Sequence, residues 1–384
     1  MRDAFLLDPA VVFLNHGSFG ACPKAVFARF QQWQLELERN PVEFLGRRSA
    51  SLLFDARAAL ASYLNAGTDD LVFVPNATTG VNIVARSLAL QPGDEVLSTD
   101  HEYGACDATW RFVCDKAGAH YRKVAIPLPL DPATWADRVM AAVTPRTKVV
   151  FASHITSTTA LIFPVAELCA RSRELGILTL IDGAHAPGHI PLDLAATGAD
   201  FYTGNCHKWL CAPKGSAFLH VQPARQRLID ATVVSWGYLA EAAGHTGFDA
   251  YTGRTTLERR LQWQGTHDIA AYLSVPAAID FWQQHDGPAW QQRCHDLACA
   301  TQRRVLAHNG LQALADGGSI GQMAAMPVRC AEPEALRRRL FDHHHIEVPV
   351  TQHGGQCCVR VSVQAYNSTQ DLDRLVQALN DEGA

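Results

Sequence analysis

The sequence has no excess of basic charge. Its 33 Lys and Arg are set against 38 Asp and Glu, a formal net charge of −5. Nucleic acid attracts the opposite balance, so it is not expected as a partner. Long apolar runs are also missing. No stretch approaches the ~18 residues of a membrane span. The opening "MRDAFLLDPAVVFLNHGSFG" carries Asp3 and Asp8 and only a short, broken apolar stretch. That pattern is unlike a signal or transit peptide, and the expected compartment is the cytoplasm. The 11 cysteines are odd in number, scattered, and form no CxxC pair. That argues against a disulfide framework or a zinc knuckle, and small buried hydrophobes are expected instead. Neither GxxxxGK[ST] nor GxGxxG occurs, so a nucleotide is not favoured.

What the chain does have is apolar material and length. At 384 residues with 48% hydrophobic content, it can build a large core and is expected to form two domains. "AVFARFQQWQLELE" sets Val26, Phe30, Trp33 and Leu37 on one helical face. From there to about residue 222, short runs such as "DLVFVP", "DEVLST", "KVVFAS" and "ILTLID" alternate with helical segments. This alternation predicts an α/β fold, a parallel sheet covered by helices on both faces. A loop-rich stretch follows over 235–268. A long helix is expected from Ile269 to Gln284, and then a smaller α+β region. The expected boundaries are an N-terminal arm at 1–20, a large domain at 21–272 and a small C-terminal domain at 273–384.

Ligands of open parallel sheets bind at the C-terminal strand ends. Polar clusters fall at five such ends: "PNATTG", "TDHEYGA", "SHITSTTA", "DGAHAPGH" and "NCHKW". "PNATTG" leads from a strand into a helix. Asn76 or Thr78 can cap that helix, whose N-terminus would suit a phosphate. Asp182 ends the apolar strand "LTLID", where a carboxylate is costly unless it is paired, and a protonated ring nitrogen would pair it. His185 lies three residues on and could bind the same ligand. Lys208 follows about 25 residues later. A lysine in an apolar, water-poor pocket loses its charge more easily and becomes a nucleophile. An anion clamp, a carboxylate and an activated lysine together are what pyridoxal 5′-phosphate (PLP) requires.

"LIDGAHAPGH" followed by "ADFYTGNCHKW" resembles the PLP-dependent enzymes of aminotransferase class V, of fold type I. With "LNHGSFGACP", "RNPVEFL", "PNATTGVN" and "DHEYGAC", the sequence is most similar to the isopenicillin N epimerase-like branch, from Leu14 to about Leu379. The resemblance implies a large domain with a mostly parallel seven-stranded sheet and a smaller C-terminal α+β domain. It implies that Lys208 forms the Schiff base, that Asp182 pairs with the pyridine nitrogen and that His185 sits near the phenolic oxygen. Ala77, Thr78, Asn205 and His207 would hold the phosphate. Either His101 or Tyr103 would stack on the ring, and Ser157 or Thr156 would stand where many members carry Asn. Gly265 and Thr266 match a segment that reaches the phosphate of the neighbouring subunit, which implies a homodimer with shared active sites. Arg360 would clamp the substrate α-carboxylate with its bidentate fork. Asn15 and His16 would line the substrate entrance, and the loop 235–262 would shape the side-chain pocket with Trp236, Tyr238, Phe248 and Tyr251.

The expected substrate is a small amino-acid-type molecule, and the first expected reaction is epimerisation. A carbon–sulfur β-lyase and an aminotransferase are the alternatives, followed by a non-catalytic binding protein. Epimerisation needs a second acid/base opposite Lys208, which Tyr103, His101 or His16 could supply. No metal is expected. His343 to His345 read as solvated helix-end histidines, and Cys206, Cys211 and Trp209 as packing.

Overall fold

The computed structural model describes residues 1–242, 247 and 249–384. Its strands are β1 (Val12–Phe13), β2 (Leu71–Val74), β3 (Glu95–Thr99), β4 (His120–Val124), β5 (Thr147–Ser153), β6 (Leu178–Asp182) and β7 (Phe201–Asn205). They continue as β8 (Ala217–Val221), β9 (Met323–Pro327), β10 (Ile346–Glu347), β11 (Val350–His353) and β12 (Gln356–Ser362).

Seven strands form the main sheet in the order β2-β8-β7-β6-β5-β3-β4. β8 alone runs antiparallel to its neighbours β7 and β2. No helix separates β7 from β8, so the chain cannot cross over and turns straight back. That return loop is 206–216, and it carries Lys208 over the C-terminal end of the sheet.

Burial explains why these runs became strands. β2, β3, β6, β7 and β8 are buried almost throughout. Alternate residues feed two separate cores. Val149, Phe151, Leu180 and Phe201 pack on one face, with Trp110. Val150, Ala152, Ile181 and Tyr202 pack on the other, in a core that continues into the C-terminal region. A period of two on a sheet covered on both faces gives this division. The edge strand β4, "HYRKV", is the exception. It is half open, and its charged side chains suit an edge.

The C-terminal sheet is antiparallel, in the order β11-β12-β9. β11 is short, polar and partly exposed, and for that reason the sequence showed no strand there. The helix expected over Ile269–Gln284 is two helices, Ala270–Leu273 and Val275–Gln284. Pro276 sits in the first turn of the second, where its missing N–H costs nothing, whereas in a continuous helix it would break a hydrogen bond. Of the expected apolar helix face, Val26 is buried and Trp33 and Leu37 pack against the core.

The N-terminal arm is pinned at several points. β1 pairs with β10 in parallel, and the Ser362 N–H donates to the Leu14 carbonyl at 2.8 Å. Gly20 has φ +72°, and a Cβ there would fall 2.0 Å from the His207 carbonyl oxygen. The arm therefore lies directly against the lysine loop. No helix among the described residues is long and apolar enough to cross a membrane.

Candidate active site

At the C-terminal ends of β2, β5, β6 and β7 lies a cavity of about 380 Å³. Sheet register levels its floor, because Asp182 is opposite Ser153 on one side and Thr203 on the other. Ala77, Thr78, Tyr103, Ser157, Asp182, His185, Asn205, His207 and Lys208 all line it. Residues separated by 131 positions in sequence are thus brought into one pocket.

Asn76 caps the helix Ala77–Ser87 by accepting the Thr79 N–H at 2.8 Å. The Ala77 N–H at the head of that helix donates to Asn205 Oδ1, also at 2.8 Å. Asn205 therefore ties the end of β7 to the helix N-terminus through its carbonyl oxygen. His207 donates its Nδ1–H to the Ser216 carbonyl at 2.8 Å, and burial lowers its pKa to about 4.

Asp182 is 3% exposed. Its Oδ1 accepts the Ala184 N–H at 2.9 Å, and among the described residues its Oδ2 takes only a thiol contact from Cys106 at 3.5 Å. Burial raises its pKa, against the lowering effect of the Ala184 N–H, Lys208 and Cys106. A buried carboxylate with spare acceptor capacity is a site for a cation or for an N–H⁺. Glu102 lies close enough to interact with Asp182, and burial pushes its pKa up to about 7. It accepts the Ser153 N–H and hydroxyl at 2.8 and 2.6 Å.

Lys208 is partly open to the cavity, with its Nζ 3.2 Å from His185 Nε2. Burial lowers its pKa to about 8; the nearby Arg360 charge acts the same way, and Asp182 opposes both. The amine is then half neutral near pH 8 and a nucleophile at physiological pH. In the ligand-free protein, acylation of Lys208 should rise about tenfold per pH unit up to pH 8 and then level off. Peptide mass spectrometry after pulse labelling measures this. A rate still climbing steeply at pH 10 would mean an ordinary solvated lysine.

Arg360, on β12, is 4% exposed. Its Nη1 donates to the Ser157 carbonyl at 2.5 Å and lies 3.3 Å from that hydroxyl, and its Nη2 donates to Ser18 Oγ at 3.2 Å. Its buried Nε has no partner among the described residues, and burial lowers its pKa to about 10. The guanidinium stands behind Ser18 and Ser157, which themselves line the cavity.

The expectations for His101, His16 and Asn15 are corrected by position. His101 does not line the cavity. It is buried, 2.8 Å from Thr159 Oγ1 and 3.3 Å from the Ile126 carbonyl, with its ring stacked on His353 at 4.0 Å. Tyr103, two residues on, occupies the lining and is 48% exposed. His16 is buried behind the lysine loop, 2.9 Å from the Lys208 carbonyl and 3.0 Å from the Tyr366 hydroxyl. Asn15 is bound to Glu347 and Ser18. Their neighbours Ser18 and Phe19 line the cavity instead, because the short helix His16–Phe19 turns those two toward it. Thr156 is locked on Thr159 and Leu161, which leaves Ser157 as the lining residue. Thr266 is exposed in a loop outside this cavity.

Trp236 and Tyr238 are about half exposed, and Tyr251 packs on Trp263 at 5.0 Å. None of the three is in the cavity lining, and Phe248 lies outside the described residues. His343 and His344 both meet Glu382. Trp209, expected only to pack, also bonds His185, and Cys106, which meets Asp182, was not among the expected site residues. Cys106 closes the motif "DHEYGAC", and adjacency to Lys208 was a signal for Trp209.

The sequence profile of the family "Aminotransferase class-V" matches residues 12–375. The chain belongs to that family. This class-V chain is 38% identical to the isopenicillin N epimerase of Streptomyces clavuligerus, over 99% of its own length and 96% of that enzyme's. It is 37% identical to the enzyme of the same name from Amycolatopsis lactamdurans, over 99% and 97%. A probable chloroplastic L-cysteine desulfhydrase of Arabidopsis thaliana is 28% identical over 97% and 83%. Among solved structures, a C-DES mutant with glycine covalently linked to its PLP cofactor superposes with a TM-score of 0.86 at 22% identity, covering 99% of each chain. That likeness establishes the fold, fold type I.

Proposed function

We propose that this chain is a PLP-dependent epimerase acting at Cα of an amino-acid-type substrate, in the manner of isopenicillin N epimerase. The observation that carries the reading is identity of 38% and 37% to two such epimerases across nearly the whole of each chain. The cavity fits the cofactor. The helix headed by Ala77 and Thr78, with Asn205 and His207 beside it, suits a phosphate. Buried Asp182, short of hydrogen-bond donors, suits a protonated ring nitrogen. Lys208, with its lowered pKa, suits a covalent carbonyl partner. When bound, PLP supplies the electron sink that stabilises negative charge at Cα.

In this reading Asp182 holds a proton at the ring nitrogen. Lys208 moves the proton at Cα on one face. Tyr103 is assigned the second acid/base. Support comes from its place in the lining and its open hydroxyl, whereas His101 and His16 have their ring nitrogens engaged. Tyr103 is also assigned the stacking role expected of His101 or Tyr103. Arg360 binds the substrate carboxylate after exchanging its serine partners. Thr266 reaches the active site of a second copy, in a homodimer, which its exposure permits. Eleven free cysteines accord with the cytoplasm.

A carbon–sulfur lyase is the second reading, favoured by the cysteine desulfhydrase relative and by a hercynylcysteine sulfoxide lyase of Schizosaccharomyces pombe, 27% identical over 78% of this chain and 75% of that enzyme. Desulfuration through a loop cysteine has less support, because Cys357 and Cys358 are buried within β12 and pair with β11. Incubation with isopenicillin N and with a panel of L-amino acids in D2O, followed by NMR, separates the readings. Deuteration at Cα with inversion and no keto acid is expected. Pyruvate with ammonia would replace the proposal with the lyase, and a keto acid with cofactor converted to its amine form would replace it with the aminotransferase.

A further inference from the structure

Trp209 is fully buried against two imidazoles, with ring centroids 4.0 Å from His189 and 5.1 Å from His16. Its Nε1–H donates to His185 Nδ1 at 3.2 Å. An indole N–H can only donate, so His185 Nδ1 must be the bare, accepting nitrogen. Burial, followed by the charges of Lys208 and Arg360 and the nearby His189 and His16, holds His185 neutral. A neutral imidazole carries one N–H, which then rests on Nε2, the atom 3.2 Å from Lys208 Nζ.

The surrounding structure holds this arrangement rigidly. Gly188 has φ +78°, and a Cβ there would fall 2.5 Å from the Trp209 carbonyl and the Leu210 nitrogen. The loops after β6 and β7 are thus pressed together where the indole meets the imidazole. His189 is fixed in the same way as His185. The Gln322 backbone N–H donates to His189 Nε2 at 2.7 Å, so the His189 Nδ1–H donates to the His185 carbonyl at 3.1 Å.

We propose that Trp209 is a positioning residue: its indole N–H fixes His185 as the Nε2–H tautomer, so the imidazole presents a donor, not an acceptor, to Lys208. The same donor is then available to an anionic oxygen brought beside that lysine, a consequence that rests on the cofactor reading above. A donor facing Nζ favours the neutral amine over the ammonium. The other groups acting on Lys208 are Arg360, Asp182 and Cys106, and a change at Trp209 leaves all three in place.

The test is Trp209→Phe, which keeps an aromatic ring and removes the N–H. Histidine ¹⁵N NMR of the ligand-free full chain, with His185 assigned by its loss in His185→Gln, reads the tautomer directly. The wild type should show pyrrole-type Nε2 and pyridine-type Nδ1. In Trp209→Phe the tautomers should mix. The pH midpoint of Lys208 acylation should rise by roughly half to one unit, the size of one lost hydrogen bond. The absorbance titration of the holoenzyme should shift in the same direction. A benzothienyl analogue of Trp209 repeats the test in an isosteric ring should the Phe variant fail to fold. An Nδ1–H tautomer in the wild type, or an unchanged tautomer and midpoint in the variant, overturns the proposal. The first two readouts use no cofactor, so failure to bind PLP would sink the functional reading and leave this one standing.

Discussion

Replacing Lys208 by Ala is expected to abolish turnover, with a loss of at least 10²–10⁴-fold from proton transfer alone, and to remove the visible absorbance of lysine-linked cofactor. The side chain sits in the cavity, 3.2 Å from His185, and burial brings its pKa down to about 8. Among the described residues no other lysine lines the cavity. Lys214 is the control. It belongs to the same loop but is exposed, so Lys214→Ala should keep the absorbance and nearly all of the rate. Borohydride reduction of the wild-type holoenzyme followed by peptide mapping should find the added mass on Lys208. Finding it on Lys214, or a Lys208→Ala protein that still shows the lysine-linked spectrum, would refute the assignment.

Arg360→Met should raise KM for the substrate by on the order of 10²-fold and leave the cofactor spectrum intact. A charge-assisted hydrogen-bonded pair in a desolvated pocket accounts for an effect of that size. The guanidinium is buried, its Nε lacks a partner among the described residues, and its other nitrogens rest on the Ser157 carbonyl and the Ser18 hydroxyl. A carboxylate would satisfy it better than two serines do. Ser18→Ala, which removes one neutral partner, should change KM only a few-fold. Steady-state kinetics beside the cofactor absorbance distinguish the outcomes. A fall in kcat at constant KM, or lost cofactor, would mean that Arg360 supports the fold and does not hold the substrate.

Much of this site was legible because its residue types are costly anywhere else. A carboxylate closing the apolar run "LTLID" and a lysine set among small residues and cysteines both demand a partner. Alternating strands and helices placed those demands at one edge of a sheet before any geometry was known. Position along the chain failed where one or two residues decide which way a side chain turns. Tyr103 faces the cavity while His101 faces His353. Ser18 and Phe19 face it while His16 faces Tyr366. Residues one or two apart near a helix start point in different directions, and composition carries no trace of which direction is which.

The sequence by itself determined the α/β class and the strand-end clusters that hold Asp182 and Lys208, because periodicity and the cost of burying charge are local properties; Arg360 stood out only through the family resemblance. Tertiary structure alone decided the rest. The antiparallel return of β8 carries the lysine loop across the sheet end, Gly188 presses two loops together, and Trp209 meets His185 as a result. Those outcomes depend on contacts between segments far apart in the chain. Such contacts set which nitrogen holds a proton, and no local pattern of residues encodes that.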